Sequence, residues 1–256
     1  MNKKKALIHL QNLSFAYPHA KQNALNGIDC EIFPHESVAI VGPNGAGKST
    51  LANHLMGILL AQSGSVVIDE ILVSPANIGY VRDMVGLVFQ NPNDQLFCPT
   101  VREEIEFGLI NMKLPSPEIH DRVAESAGIM NIDHLLRKPA HHLSGGEKKR
   151  AAIAAILAMR PKILIMDEPT ANLDPYNEKV LTDLINSLSC TKIIISHDLP
   201  VLFQTCQRAL VMVNGQIIRD FSMQEFMNDQ DLILEHGLDF RFKCKCCKVI
   251  HPERFS

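Results

Sequence analysis

A short stretch rich in glycine constrains this chain more than any other part of its sequence. It reads Gly42-Pro43-Asn44-Gly45-Ala46-Gly47-Lys48-Ser49-Thr50, with an apolar run at residues 38–41 before it and a helix-compatible run to residue 57 after it. Glycines let the backbone turn tightly, so that successive N–H groups point into one concavity at the positively polarised start of a helix. Lys48 would then reach the β- and γ-phosphates of a nucleoside triphosphate, and the Ser49 hydroxyl would bind Mg²⁺. We call residues 42–50 the P-loop.

The composition excludes several classes of protein. Hydrophobic residues make up 46% and charged residues 21% of the 256 positions, as in ordinary globular proteins. The net charge of −3 does not favour a nucleic acid as partner. No apolar run approaches the ~18–20 residues that cross a bilayer. The basic start at residues 1–5 leads into a short strand predicted at residues 6–10 rather than the apolar core of a signal peptide, so we expect a cytoplasmic chain.

Two acidic residues follow a run of four apolar residues at 163–166. Such an apolar run is typical of a central parallel strand that is buried on both faces. Asp167 and Glu168 come directly after it, and carboxylates are costly to place there without a cation or a catalytic role. Asp167 would hold Mg²⁺, and Glu168 would act as general base on the water that attacks the γ-phosphate. A solvated turn is the structural alternative.

Four further signals each have a structural alternative. Tyr17, ahead of the P-loop strand, could stack on adenine or simply pack. Gln90 ends the strand predicted at residues 84–89 and could hold Mg²⁺ or belong to a turn. Residues 143–147, Leu-Ser-Gly-Gly-Glu, precede a helix predicted at residues 148–159 and could bind an anion or only cap that helix. His197 ends the strand at residues 192–195 and could be catalytic or structural.

The spacing of apolar residues becomes helical from Thr100 to about residue 135. Val101 and Ile105 lie on one face, and Thr100 with Glu103 has the spacing of a capping box. Prolines at 115 and 117 precede a second helix that is predicted to begin near Glu118. These residues predict a helical subdomain inserted in an α/β chain. Farther on, Asn214-Gly215 between two strand-like runs predicts a hairpin.

Together these stretches resemble the ATP-hydrolysing subunit of ABC transporters over residues 7–220. The matching elements are Tyr17 as the adenine-stacking aromatic, residues 42–50 as Walker A, Gln90 as the Q-loop glutamine, residues 143–147 as the signature, residues 163–168 as Walker B, residues 171–174 as the D-loop, and His197 as the switch histidine. Glu147 departs from the family, which usually has glutamine there. We expect activity to survive because the phosphate donors Ser144, Gly145 and Gly146 are present.

The resemblance implies a fold and a set of functional residues. The fold is α/β: a P-loop NTPase core of the ABC ATPase type with a small antiparallel β subdomain and an inserted α-helical subdomain. The ATPase domain would span residues 1–228, with the helical insert at about 100–142, and residues 229–256 would form a C-terminal extension. Glu168, His197 and Gln90 would be catalytic; Ser49, Gln90 and Asp167 would hold Mg²⁺. ATP would be bound by Tyr17, Gly42, Pro43, Asn44, Gly45, Ala46, Gly47, Lys48, Ser49 and Thr50, and by Ser144, Gly145 and Gly146 of a partner in a head-to-tail dimer.

The run at residues 88–97, Val-Phe-Gln-Asn-Pro-Asn-Asp-Gln-Leu-Phe, is similar to that of energy-coupling-factor and cobalt-type importer ATPases. The likeness implies a peripheral protein on the cytoplasmic face of the inner membrane. Its partners would be a second ATPase, identical or related, a transmembrane coupling protein and a substrate-capturing membrane subunit. The cargo would be cobalt or nickel, or alternatively a vitamin. The competing hypotheses are a soluble, non-transport ABC ATPase and a module that binds ATP without hydrolysing it.

The C-terminal tail is not required by this resemblance. Cys244 and Cys247 have C-x2-C spacing, and His251 lies four residues farther on. Thiolates and imidazole suit Zn²⁺, Ni²⁺, Co²⁺ or Cu⁺, so the tail is a candidate metal site. The alternative is a reduced tail without a ligand, because structural sites usually combine two separated ligand pairs.

Overall fold

The computed structural model describes residues 5–235, apart from the side chains of residues 230, 233 and 234. The candidate tail site at Cys244, Cys247 and His251 lies outside the described residues. The strands are β1 (Ile8–Phe15), β2 (Leu25–Ile32), β3 (Ser37–Val41), β4 (Ser63–Ile68), β5 (Ile71–Leu72), β6 (Val85–Val88), β7 (Ile163–Asp167), β8 (Thr191–Ile195), β9 (Arg208–Val213) and β10 (Gln216–Ser222). The helices are α1 (Lys48–Leu55), α2 (Ile78–Met84), α3 (Val101–Asn111), α4 (Ser116–Ile129), α5 (Gly145–Leu157), α6 (Pro175–Ser187), α7 (Leu199–Thr205), α8 (Met223–Asn228) and α9 (Gln230–Glu235).

A six-stranded sheet in the order β10-β9-β3-β8-β7-β6 forms the centre of the fold. Strands β9, β3, β8, β7 and β6 are parallel, and β10 closes the edge antiparallel to β9. The apolar runs of β3, β7 and β8 are buried because helices cover both faces. Parallel pairing places Ile40 and Asp167 beside Ile195. The segments that follow these three strands therefore meet at one edge.

A second, four-stranded antiparallel sheet has the order β2-β1-β4-β5. Its first strand is longer than the predicted span of residues 6–10, since β1 continues through register shifts to Phe15. Leu13 and Phe15 are buried in the core that this sheet shares with α1. The extra length of β1 carries the chain to Tyr17, beside the P-loop.

The helical insert confirms its predicted cap and its predicted break. The Thr100 hydroxyl accepts a hydrogen bond from the Glu103 N–H, and the Glu103 carboxylate accepts one from the Thr100 N–H. Helix α4 starts just after Pro115, and its buried face joins α3 and α5 in one core. The fold class of the sequence analysis is confirmed. The boundary at residue 228 stays a prediction.

The structure differs from the sequence-based prediction at the start of β6, at the start of α5 and after β8. Met84 ends helix α2, which the sequence did not suggest, so β6 starts one residue later than predicted. Helix α5 begins at Gly145 rather than Lys148, because Ser144 caps it. Helix α7 follows β8, where no helix was predicted. Among the described residues, none of the helices combines the length and apolarity needed to cross a bilayer.

Candidate nucleotide site

The edge where β3, β7 and β8 end opens into a cleft of about 670 Å³, within the range of roughly 300–1,000 Å³ of ligand sites. Most residues predicted from the sequence line it: Tyr17, Asn44, Gly45, Ala46, Gly47, Lys48, Ser49, Thr50, Gln90, Asp167, Glu168 and His197. Gly42 and Pro43 are not among the lining residues, and their carbonyl oxygens accept hydrogen bonds from Lys48 Nζ at 2.7 and 2.9 Å. Elements far apart in sequence thus meet at one place.

The P-loop requires glycine at Gly47 for two reasons. Its φ of 102° lies in the left-handed region, and a Cβ there would lie 2.5 Å from the backbone oxygen of Ala24. Gly47 is also the N-cap of α1, and in the described chain no side chain caps this helix. The N–H groups of the first turn are therefore left for an anion.

Lys48 is a buried cation in this loop, with 8% of its surface exposed. Burial lowers the pKa of Lys48, and the nearby carboxylates of Glu168 and Asp167 act in the opposite direction. A lysine held among backbone carbonyls and two acids suits an anionic ligand that would supply it with stronger acceptors.

Tyr17 stands at the rim with 43% of its surface exposed. Its hydroxyl lies 3.2 Å from the Thr50 hydroxyl, and its ring meets Phe15 edge-on at 5.0 Å between centroids. Phe15 is buried. The exposed ring of Tyr17 can receive a flat aromatic group.

Asp167 and Glu168 end β7 opposite the P-loop. Burial raises the pKa of Asp167, as does the neighbouring Glu168 charge, while Lys48 and His197 lower it. Glu168 has a φ of 47°, in the left-handed region. A residue with a side chain adopts that region at a cost, so its surroundings must hold it there.

Two groups from the end of β8 orient the Glu168 carboxylate. Ser196 Oγ donates to Oε2 at 2.7 Å and the His197 N–H donates to Oε1 at 2.9 Å. His197 Nε2 lies 3.8 Å from Oε1. Sequence reasoning missed Ser196, although its place directly before His197 at a strand end was a usable signal.

The signature residues Ser144, Gly145 and Gly146 are not part of the cleft lining. Ser144 caps α5: its hydroxyl accepts from the Glu147 N–H at 3.3 Å, and its N–H donates to Glu147 Oε2 at 2.7 Å. The hydrogen bond from the Ser144 N–H to the carboxylate, and after it a hydrogen bond with the Ser144 side chain, lower the pKa of Glu147. Ser144 and Gly145 are exposed, so any ligand they bind would lie outside this chain's own cleft.

The chain is similar to known proteins over nearly its whole length. The family model described as "ABC transporter" matches residues 25–171. The energy-coupling factor transporter ATP-binding protein EcfA of Methanothermobacter thermautotrophicus is 44% identical over 237 residues, which covers 91% of this chain and 76% of that protein.

Solved structures agree in fold. The cbiO1 protein of Clostridium perfringens, described as part of the ABC transporter complex cbiONQ, superposes with a TM-score of 0.81 and 38% identity, covering 92% of this chain and 96% of that one. The ATP-binding cassette MJ0796, solved as a dimer bound to ADP and Pi in a post-hydrolysis state, has a TM-score of 0.74 and 27% identity, covering 84% and 98%.

Proposed function

This chain belongs to the ABC transporter family as an ATPase of the energy-coupling-factor and cobalt type, and we propose that it powers a membrane importer of a transition-metal ion, cobalt or nickel. Hydrolysis of ATP coupled to transport is the activity of this family. The observation that carries the proposed site is the meeting of Lys48, Asp167, Glu168 and His197 in one cleft with the P-loop. The proposed cargo is supported by the similarity to a protein of the cbiONQ complex.

In this proposal the P-loop and Tyr17 bind ATP. The unpaired N–H groups at the start of α1 receive the phosphates, Lys48 contacts the β- and γ-phosphates, and adenine stacks on Tyr17. The free N–H groups of α1 and the exposure of the Tyr17 ring support these roles.

The donors fit Mg²⁺, which prefers oxygen ligands and keeps places for substrate phosphates. Ser49, Gln90 and Asp167 would supply a hydroxyl, an amide oxygen and a carboxylate. Bound Mg²⁺ would offset negative charge on the phosphate oxygens.

Hydrolysis in this proposal begins when Glu168 takes a proton from the attacking water. The carboxylate is already oriented by Ser196 and His197, and it has an acceptor lone pair left for water. His197 and Gln90 would contact the γ-phosphate. The water oxygen bonds to the γ-phosphorus while the bond from that phosphorus to the β,γ-bridging oxygen breaks, so that ADP is the leaving group. The proton taken by Glu168 is returned to the phosphate, which is released as inorganic phosphate.

A head-to-tail dimer would complete each site. The exposed Ser144 and Gly145 lie away from the chain's own cleft, so their hydroxyl and N–H donors would serve the ATP of a second ATPase subunit. The dimer could be formed by two copies or by a related chain. The dimeric MJ0796 cassette supports this arrangement.

An exposed apolar patch on the helical insert supports docking to a membrane protein. Phe97, Phe107 and Ile110 are 67%, 45% and 58% exposed, and the two rings meet edge-on at 4.9 Å. Large exposed apolar groups in one cluster are typical of interaction surfaces. The proposed partners are a transmembrane coupling protein and a substrate-capturing subunit, at the cytoplasmic face of the inner membrane.

A detergent pull-down from native membranes tests this proposal. We expect a transmembrane coupling protein and a small capturing subunit to co-purify with the unmodified chain. The Phe107→Ser variant should lose them, and Leu72→Ser, at a leucine of β5 with 51% of its surface exposed against 45% for Phe107, should keep them. Cobalt or nickel retained by the complex supports a metal cargo; a vitamin supports the alternative cargo. Soluble partners alone would favour a non-transport ATPase.

A further inference from the structure

A buried lysine, Lys149, connects helix α5, which begins after Ser144, to the backbone of Glu168. Lys149 lies in the second turn of this helix, which Ser144 caps, and 6% of its surface is exposed. Its Nζ donates a hydrogen bond to the backbone oxygen of Glu168 at 2.8 Å. Burial lowers the pKa of Lys149 to about 8, with the Glu168 charge acting in the opposite direction. A cation is costly to bury, so its contact with this one carbonyl calls for an explanation.

The backbone at Glu168 needs external support. Its φ of 47° is unfavourable for a residue with a side chain, and Pro169 after it has no N–H to contribute. The end of β8 holds one side of this turn, because the Glu168 N–H donates to the Ile195 oxygen at 2.8 Å. The Glu168 oxygen accepts from the Ala171 N–H at 3.2 Å and from Lys149. Lys149 therefore supplies the support that comes from α5.

We propose that Lys149 is a positioning residue for ATP hydrolysis, which fixes the backbone turn at Glu168 and joins that turn to the helix that begins after Ser144. The inference rests on the proposed role of Glu168 as general base. Its effect is indirect: Lys149 does not line the cleft, and it acts through the orientation of the carboxylate. A shift of the turn at Glu168 would move the carboxylate relative to water and the γ-phosphate.

The same contact connects two sites in the proposed dimer. Ser144 would serve the ATP held by the partner, whereas Glu168 serves the ATP held by its own chain. Because Lys149 joins the α5 backbone to the Glu168 carbonyl, a change of position at one of these sites is passed to the other through a single side chain. The contact depends on an ammonium group and a carbonyl oxygen at hydrogen-bond distance.

The chain contains a matched control for the loss of this lysine. Lys192 is also 6% exposed, burial also lowers its pKa, and its Nζ donates to the carbonyl oxygens of Ile185 and Leu188 at 3.1 and 2.8 Å. These carbonyls are at the end of α6, outside the cleft lining. Removing Lys192 tests the cost of losing a buried lysine that bonds to backbone oxygens, without touching Glu168.

The experiment compares Lys149→Met, Lys192→Met and Glu168→Gln in the full chain. Steady-state phosphate release gives kcat and KM for MgATP, and urea unfolding gives stability. For Lys149→Met we expect kcat to fall about 10- to 100-fold with KM within about twofold, because binding is intact and the base is misplaced. Lys192→Met should lose stability and keep kcat. Lys149→Arg, which restores a charged donor, should recover part of kcat.

Three results would overturn the inference: an unchanged kcat in Lys149→Met, an equal loss of kcat in Lys192→Met, or a rise in KM that accounts for the loss of activity. If Lys149→Met shows no cooperative unfolding transition, Lys149→Gln replaces it, and the same fall in kcat at nearly constant KM is expected because glutamine is shorter and carries no charge. Glu168→Gln separates the two proposals. Normal turnover in that variant refutes the role of Glu168 itself, whereas its loss beside normal turnover in Lys149→Met refutes only the role of Lys149.

Discussion

Replacing Glu168 by glutamine removes the proposed base while keeping the shape of its side chain. The carboxylate accepts from the Ser196 hydroxyl and from the His197 N–H. In the variant the amide oxygen can still accept from the His197 N–H, and the amide nitrogen can donate to Ser196 Oγ once that hydroxyl rotates. Ser196 Oγ also accepts from the Asp198 N–H at 3.0 Å, so the exchange disturbs at most one hydrogen bond.

Glu168→Gln should cost little folding stability but much of the stabilisation of the transition state for hydrolysis. One disturbed hydrogen bond costs about 1 kcal/mol of folding stability. Loss of a general base lowers kcat by about 10²- to 10⁴-fold, which corresponds to about 3–5 kcal/mol in the transition state. The Glu168→Gln variant should therefore fold and bind MgATP almost normally and should accumulate in the closed, ATP-bound dimer.

Three measurements check this prediction: phosphate release, urea unfolding, and size-exclusion chromatography with and without MgATP. Glu225→Gln is the matched control, because the Glu225 carboxylate also accepts from a serine hydroxyl and from a backbone N–H, both of Ser222, at 2.7 and 2.9 Å. That variant should keep its turnover. A Glu168→Gln protein that releases phosphate at the unmodified rate would refute the assignment of the base.

Three further predictions concern the surroundings of the site. Gly47→Ala should lower the free energy of unfolding in urea by more than about 3 kcal/mol, because the new Cβ would lie 2.5 Å from the Ala24 oxygen. Gly45→Ala, which has open space around it and a φ of 81°, should lower it by about 1–2 kcal/mol. Tyr17→Ala should raise KM for ATP about tenfold at constant kcat, as loss of a stacking surface does. Hydrogen bonds from Ser144 lower the folded-state pKa of Glu147, so its stabilising effect is fully present above the unfolded value of 4.5 and is lost as pH falls through the folded value. Glu147→Ala should therefore lower the melting temperature at pH 7, and the difference from the unmodified chain should shrink steadily as the pH falls below 4.5.

Sequence reasoning succeeded where the physical cause of a structure is local. The capping box at Thr100 and the hairpin at Asn214-Gly215 follow from neighbouring residues alone, and the structure shows both. The four apolar residues of β7 indicated a strand buried on both faces for a similar reason. The P-loop was also predictable, because one short stretch contains its strand end, its glycines and its helix start.

The missed features depend on contacts between distant parts of the chain. Helix α2 and helix α7 have only seven residues each, too few for periodicity to distinguish them from loops. Ser196 donates a hydrogen bond to the Glu168 carboxylate, and Lys149 donates one to the Glu168 backbone oxygen. Both donors are distant from Glu168 in sequence and approach it only once β8 and α5 have packed.

The departure from the family at Glu147 has a local physical basis. In a capping box the third helical residue accepts a hydrogen bond from the backbone of the cap, and both a carboxylate and an amide oxygen can do this. Glutamate adds a negative charge at a helix N-terminus, where the helix dipole favours it. The Ser144 hydroxyl oxygen accepts from the Glu147 N–H, and the Ser144 side chain also lowers the pKa of Glu147 through a hydrogen bond. In the proposed dimer, the capping box therefore fixes the direction from which Ser144 approaches the γ-phosphate bound by the partner.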